Sequence, residues 1–578
     1  MAFLGVEKSA TGRRWIGPTA EEERLGEAIA QLNNVPAVLG TLLAKRGVAP
    51  EEVPEYLTPS LRALMPDPSS LRDMDKAAER FLTAVENRER IAVFADYDVD
   101  GGASAALLIV WLRQMGITPT LYIPDRIDEG YGPNNEAMAM LGAGHDLIVT
   151  VDCGTLSHEP VRAAGVDVIV LDHHLGGETL PEAVAVVNPN RQDESGDLSY
   201  LCAAGVVFLM LAAVNRLLRG KGVTGPDLLA MLDLVALATV ADVAPLVGFN
   251  RALVVQGLKV MAQRRRVGLV ALGEVARMNT APTTYHLGYL LGPRINAGGR
   301  VGAADLGARL LATDDPAEAA ALAERLDALN TERRDIEATV LAQATEQAEA
   351  RGVERGLVWA AGEDWHPGVV GIVASRLKEA FNRPAVVIGL DGDEGKGSGR
   401  SVNGVDLGNA ISRLAREGLL LKGGGHKMAA GLTVARDMLE PAMQRLTELL
   451  EKQGAAEAGP ADLRIDGLVA AGSATVELIE SLEAAGPFGA ASPAPRFAIP
   501  AARVAFAKRA GESHLRLTLT DSSGGRIDAI AFRAYEGPIG PILENHGGRA
   551  FHVAGRLEID EWGGRRKAKL KLEDVAEA

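Results

Sequence analysis

ADYDVDGG, residues 95–102, is the stretch on which the fold turns. It follows a short apolar run, Ile91 to Ala95, and precedes a run of helix formers beginning near Ala103, so it reads as strand, tight turn and helix. Asp96, Asp98 and Asp100 converge at that turn. Ligands of open parallel sheets bind beyond the carboxyl ends of the strands. Three unpaired acids placed there repel one another unless a cation neutralises them. A calcium EF-hand loop also opens D-x-D-x-D-G, but it requires Glu at its twelfth position and a preceding helix. Here the twelfth position is Leu107 and a strand comes first. The bland alternative is a plain acidic turn.

The same event recurs further along the chain. The strand Leu147 to Val151 ends in Asp152, and Val166 to Leu171 ends in Asp172, His173 and His174. A buried helix over 226–243 carries Asp242 at its end, in TVADVAPL. Singly, Asp152 reads equally well as a helix cap and Asp242 as a partner for backbone amides. Together they make a carboxylate-and-imidazole set, which suits Mn2+ or Mg2+ and not a thiolate-bound metal. Two such ions about 3.5 to 4 Å apart clamp the attacking and leaving oxygens of a phosphoryl displacement.

Strands alternating with helices from Glu89 onward predict a parallel α/β sheet. The 578 residues, at about 150 per domain, leave room for three or four domains. With 47% apolar and 24% charged residues the chain is of ordinary globular composition. Residues 1–85, punctuated by Pro54, Pro59, Pro66 and Pro68, read as a partly irregular segment that braces the core. The expected domains are then 86–315, a connecting helix over 316–352, a second α/β domain over 353–455 with a strand at Ala385 to Gly389, and 456–578. In the last, HLRLTLTD (514–521), RIDAIAF (526–532), FHVAGRLEID (551–560) and RRKAKLKLE (565–573) alternate with period two, and Gly524-Gly525 and Gly563-Gly564 mark hairpins. A β-barrel of OB-fold type is the natural reading.

Cys153 and Cys202 cannot build a disulfide framework or a zinc cluster and fit a reducing cytoplasm. Cys153 reads as a small buried side chain, not a nucleophile. The N-terminus lacks a basic segment followed by an apolar core, and the apolar stretch Leu228 to Val247 is broken by Asp233 and Asp242, so no membrane span is expected. The net charge of -16 argues against a general nucleic-acid coat, yet residues 501–578 carry 13 Lys and Arg against 11 Asp and Glu. A locally basic module on an acidic body is compatible with phosphate-backbone binding. Arg264, Arg265 and Arg266 read as a solvated helix face. An aromatic content of 4% limits base stacking. Phe532, Phe551 and Trp562 are each either core or stacking platform.

DYDVDG, VTVDCGT, LDHH and TVADVAPL resemble the four motifs of the DHH phosphoesterase superfamily, and GGGHKMAAG (423–431) resembles its DHH-associated domain. Order and spacing are similar to the branch of single-strand-specific exonucleases, from about Leu61 to the C-terminus and including GPFGAASPAPRF (486–497). The resemblance implies a DHH parallel-sheet domain and a DHH-associated α/β domain joined by a long helix, followed by an OB-fold. It implies metal ligation by Asp96, Asp98, Asp100, Asp152, His173 and Asp242, with Asp152 bridging two divalent cations. By the same resemblance Asp98, Asp152 and His174 are catalytic, Asp172 orients His173 from behind, and His174 faces the scissile phosphate. Other branches place His four residues before the middle Asp; here that residue is Phe94, with Asp96 in its stead. Ala95 departs from the usual Gly.

In the second domain, WHPGVVGIVASRLKE (365–379) opens a helix whose amides can receive phosphate. GSGRSVNG (397–404) supplies Arg400 and Ser401, and the glycines of KGGGHKMAAG can form an anion-binding nest beside His426. Read singly, these are turns with a surface arginine. The resemblance implies DNA contacts by His366, Ser375, Arg376, Arg400, Ser401, Gly424, Gly425 and His426, with Arg294, Asn296 and Arg300 of GPRINAGGR lining the same cleft. The implied activity is 5′ to 3′ hydrolysis of single-stranded DNA to mononucleotides in repair and recombination, by a cytoplasmic monomer partnered by a helicase and a single-strand-binding protein. The rivals are a phosphodiesterase for short oligonucleotides or cyclic dinucleotides, and an inactive DNA-binding scaffold.

Overall fold

The structure is a computed structural model that describes residues 2–126, 129–456, 462–561 and 564–578. The chain divides into two compact units, Leu61–Ala458 and a second made of Met1–Ser60 with Gly459–Ala578.

Leu61–Ala458 begins with a five-stranded sheet in the order 120–122, 91–95, 147–151, 167–171, 185–187, all pairs parallel. Ile91–Ala95 and Leu147–Val151 are buried at every residue, as strands covered on both faces must be. The register places Ala95, Val151, Leu171 and Val187 side by side. The next residues, Asp96, Asp152, Asp172 and Asn188, therefore end neighbouring strands along one edge. Phe94 is fully buried and its ring stacks on Tyr122 at 5.5 Å, within the core on that side of the sheet.

The helix after the first strand starts at Val99, earlier than the expected Ala103. Asp98 is the reason: its carboxylate accepts from the Asp100 and Gly101 amides at 2.8 and 3.2 Å and caps the helix. Ala203–Gly220 is long and apolar enough to cross a membrane by length and composition alone, but 67% of its window is buried within the protein. It is a core helix packed among residues of the first domain. Arg264, Arg265 and Arg266 lie between the helices Gly248–Met261 and Val267–Val275 and not on one; Arg264 and Arg265 are exposed, Arg264 bonds Glu274, and Arg266 makes a two-pronged pair with Asp233.

The long helix spans Pro316–Arg351. Beyond it lies a mixed sheet in the order 422–426, 429–435, 394–400, 385–391, 358–363, with helices Pro367–Phe381 and Leu407–Arg416. Here the glycine run departs from expectation. Lys422–His426 is a strand paired antiparallel with Ala429–Ala435, so its amides alternate in direction and form no nest.

In the second unit, strands Phe497–Ala510, His514–Thr520, Arg526–Ala531, Lys567–Glu577 and Ala550–Asp560 pair in that order, and Phe497–Ala510 also pairs with Ala550–Asp560. This closes a five-stranded barrel. Phe551 is buried in its core, Phe532 is 49% exposed, and Trp562 and Gly563 lie outside the described residues. The expectation that residues 1–85 form one segment bracing the first α/β domain does not hold. Trp15 and Ile16 pair in parallel with Leu463 and Arg464, and the fully buried Trp15 donates from Nε1 to the buried Asp574 carboxylate at 3.0 Å. Residues from Leu61 onward belong instead to the first domain.

Trp15→Ala is expected to destabilise this second unit by about 3 to 5 kcal/mol, the cost of a large core truncation. It also takes a hydrogen-bond donor from Asp574. Denaturant unfolding followed by circular dichroism, with limited proteolysis of the barrel, checks this.

Candidate metal and phosphate site

The acids of the sheet edge meet. Asp96 and Asp152 are 4% and 1% exposed, and one oxygen of each, Oδ1 in both cases, has no hydrogen-bond partner. Asp100, on the first turn of Val99–Gln114, accepts from the amides of Ala203 and Ala204 at 2.6 and 2.8 Å. Those amides begin the helix Ala203–Gly220, so a helix N-terminus faces the carboxylate. His173 Nε2 lies 3.2 Å from Asp152 Oδ1 and 3.6 Å from Asp100 Oδ2, and its Nδ1 lies 3.9 Å from Asp242 Oδ2.

Three overlapping groups can each hold an ion: Asp96 with Asp98 and Asp152; Asp152 with His173 and His174; Asp100 with His173 and Asp242. Within each group the ligand atoms are within 4.8 Å of one another. Burial and then the neighbouring carboxylates push Asp152 well above the usual carboxylate range, and Asp96 rises for the same reasons. Burial, Asp100 and Asp98 push Asp242 up to about 9. Orphaned buried oxygens among like charges fit a divalent cation, whose charge would satisfy them. The oxygen and imidazole donors fit a hard or borderline ion.

Asp172 departs from its expected part. It accepts from His174 Nδ1 at 2.8 Å and from the amides of His173, His174 and Thr155, so it orients the ring of His174 and not that of His173. Burial opposes its charge, yet the bonds from His174 and Thr155 hold it at about 2. Burial likewise opposes charge on His174, and Asp172 outweighs it to lift the imidazole to about 9. Asn188 and Asn190 bond the His174 and His173 carbonyls at 2.8 and 2.6 Å, and the Tyr131 hydroxyl donates to the Asp152 carbonyl at 3.0 Å. Sequence reading passed over these three residues, although the N-P-N after the fifth strand was a readable sign.

The phosphate candidates divide. Arg300 donates to the Gly368 carbonyl at 2.9 Å, and Arg400 to Ser398 Oγ and the Gly399 carbonyl, all neutral partners. Burial, Arg126 and Arg333 lower Arg300 to about 10, and burial followed by Arg126 lowers Arg400. Arg126, which no sequence pattern singled out, stands 5.1 Å from the ring of Tyr97, so it joins this group beside the acidic turn. His366 caps its helix by accepting from the Gly368 amide. Asn296 accepts from the Val99 amide at 3.0 Å and braces the acidic turn. Other candidates are occupied. Arg294 bonds Asp327, Arg376 pairs with Glu337, Ser375 bonds the Gly371 carbonyl, and the buried Ser401 bonds the Val405 carbonyl. Gly424, Gly425 and His426 sit on the hairpin, where His426 accepts from the Met428 amide.

Residues 90–239 match the DHH family, N-terminal domain, residues 354–452 the DHHA1 domain, and residues 465–574 the RecJ OB domain. The single-stranded-DNA-specific exonuclease RecJ of Dickeya dadantii is 39% identical over 96% of this chain and 98% of its own. The chain belongs to the RecJ family. The Escherichia coli RecJ is 37% identical over 94% of this chain and 96% of its own. The crystal structure of RecJ in complex with Mn2+ from Thermus thermophilus superposes with a TM-score of 0.81 at 30% identity, covering 98% of this chain and 79% of that one.

Gly101→Ala places a Cβ 2.3 Å from the Asp96 carbonyl oxygen. The expected outcome is a loss of divalent-ion binding with the circular dichroism spectrum retained, read by calorimetric titration with Mn2+. A second expectation concerns pH. Because Asp96, Asp152 and Asp242 are held above the unfolded carboxylate value of about 4, the folded apo chain binds protons that the unfolded chain releases. That stability is present at low pH and is lost as pH rises toward 9. The rise in melting temperature on adding Mn2+ is therefore expected to grow between about pH 5 and pH 9, and to grow less in Asp242→Asn.

Proposed function

We propose that this chain is a single-stranded-DNA-specific exonuclease that removes mononucleotides from the 5′ end with the aid of two divalent cations, Mn2+ or Mg2+. The observation that carries the reading is one neighbourhood holding both overlapping ligand groups and a set of arginines bonded to neutral partners. Asp96, Asp98, Asp100, Asp152, His173 and Asp242 would hold the ions; Asp152 and His173 each belong to two of the three groups. When bound, the ions polarise the phosphodiester and generate a nucleophile from water at neutral pH.

Arg126, Arg300 and Arg400 bind the 5′-terminal phosphate and fix which bond reaches the carboxylates. Arg126 raises the cost of charge on both Arg300 and Arg400, which a phosphate bound there would offset. His174, kept protonated by Asp172, donates to an oxygen of the scissile phosphate as negative charge develops there. Asn188 and Asn190 hold the backbone that carries both histidines, so the rings keep their aim. The complete acid set supports an active enzyme over a scaffold, and a barrel of OB type supports long strands over dinucleotides. Phe532 on the barrel surface, with the Lys571 ammonium 5.5 Å from its ring, offers a place for base stacking. A cytoplasmic monomer working behind a helicase and a single-strand-binding protein goes with this reading.

Single-stranded DNA labelled separately at each end tests it. Mn2+-dependent release of mononucleotides from the 5′ end, absent with EDTA, with Asp152→Ala and on blunt duplex, is the expected result. Arg300→Ala is expected to slow digestion of 5′-phosphorylated strands about 10- to 100-fold, the loss of one charged hydrogen bond, and to affect 5′-hydroxyl strands less. Intact long strands beside cleaved dinucleotides would overturn the reading.

A further inference from the structure

We propose that residues 199–204 form a strap that positions the three ligands of one ion group, Asp100, His173 and Asp242, and that Asn250 is the positioning residue that fastens it; this rests on the metal-binding reading above. The strap enters the core just ahead of the helix Ala203–Gly220, with Ser199 exposed and Leu201 to Ala204 buried. Its two ends and its middle are each tied to a different ligand-bearing segment. The Ser199 carbonyl accepts from Asn190 Nδ2 at 3.3 Å, and the same amide group holds the His173 carbonyl at 2.6 Å. The amides of Ala203 and Ala204 donate to the Asp100 carboxylate. Between them, the Tyr200 carbonyl accepts from Asn250 Nδ2 at 2.8 Å, and that amide group also donates to the Pro245 carbonyl at 3.0 Å. Pro245 stands three residues after Asp242.

Asn250 is fully buried in the first turn of the helix Gly248–Met261. A side-chain amide carries two N–H donors, and here both go to main-chain carbonyls of separate segments. Its Oδ1 has no hydrogen-bond partner among the described residues. A buried acceptor left unfilled is a cost that an apolar side chain would avoid. What the amide supplies in return is the link between the strap and the turn after Asp242. That turn needs one, because Val243 holds a positive φ of 59°, a strained conformation for a β-branched residue. Two further contacts grip the strap from the same side. The Tyr200 hydroxyl accepts from the Phe249 amide at 3.2 Å, and Cys202 Sγ lies 3.5 Å from Thr239 Oγ1, on the helix Leu232–Ala241 that leads to Asp242.

The group of Asp96, Asp98 and Asp152 is fixed by other means. The amides of Asp96 and Asp152 donate to the Val151 and Leu171 carbonyls at 3.4 and 2.9 Å, which prolongs the sheet, and Asp98 caps its own helix. Among the described residues no hydrogen bond joins these three acids to the strap. The two parts of the centre are therefore anchored separately, one on the sheet edge and its turn, the other on the strap. Removing the Asn250 amide frees the turn after Asp242 from the segment that holds Asp100, and leaves the sheet edge as it is. Partners of this outer kind set the aim of metal ligands, and their loss is felt as metal affinity.

The test titrates the full chain with Mn2+ in the absence of DNA, following the free ion by electron paramagnetic resonance. The unaltered chain is expected to bind two ions. In Asn250→Ala one ion should keep its affinity and the other weaken about 10- to 100-fold. The Mn2+ needed for half-maximal digestion should rise by the same factor, with kcat recovered at saturating Mn2+ and the KM for the strand unchanged, a pattern that a general loss of folding does not give. Asn190→Ala, at a half-buried position, should weaken the same ion, and it carries the test if Asn250→Ala does not fold. Equal weakening of both ions, or of neither, in variants that melt as folded chains overturns the strap and leaves the metal site standing. Fewer than two ions on the unaltered chain overturns the metal reading as well.

Discussion

Four carboxylates gathered in one largely buried site, in excess of the His173 and His174 imidazoles beside them, are the constraint on which the rest of this molecule depends. Burial and mutual repulsion both favour protonation of Asp96, Asp100, Asp152 and Asp242. The fold holds them together all the same because backbone geometry leaves no alternative. Parallel register ends two strands in Asp96 and Asp152 side by side, and helix N-termini supply amides to Asp98 and Asp100. These partial positive charges ease the repulsion without neutralising it. What remains is an affinity for a multivalent cation, which makes a structural cost into a functional property.

The surrounding groups follow from that centre. Asp172 ends the third strand of the row, but its oxygens are filled by backbone amides and by His174, so it stays ionised and serves as an anchor. Two carboxyls ending adjacent strands, Asp152 and Asp172, are thus driven in opposite directions by their hydrogen bonds. Arg300 and Arg400 bond neutral partners, and burial together with the charge of Arg126 makes the charge of each costly.

Much of this was legible in the sequence, and the failures have identifiable causes. The acids could be read because each follows a short β-branched run, and the strand-end rule then places them on one edge. The helix start is hard to read because D-V-D-G-G looks like a turn, whereas Asp98 caps a helix that begins at Val99. The glycine run of residues 423–425 carries no side-chain pattern, so its pairing with Ala429–Ala435 was invisible. Strand Phe497–Ala510 was hidden by Pro500 and by the irregular register between Ile499 and Ala502. The bond from Trp15 to Asp574 joins positions 559 residues apart and leaves no local sign. Arg126 lies in a loop, where no periodicity singles it out. Which imidazole Asp172 faces is not legible, because sequence adjacency does not reveal which ring a carboxylate meets.

The buried acids exist to hold cations. Crystals grown with Mn2+ and measured at its absorption edge test this most directly. Two anomalous peaks are expected at coordination distance from Asp96, Asp98, Asp100, Asp152, His173 and Asp242, with Asp152 touching both. Peaks elsewhere, or none at saturating Mn2+ in crystals at neutral pH, would contradict it.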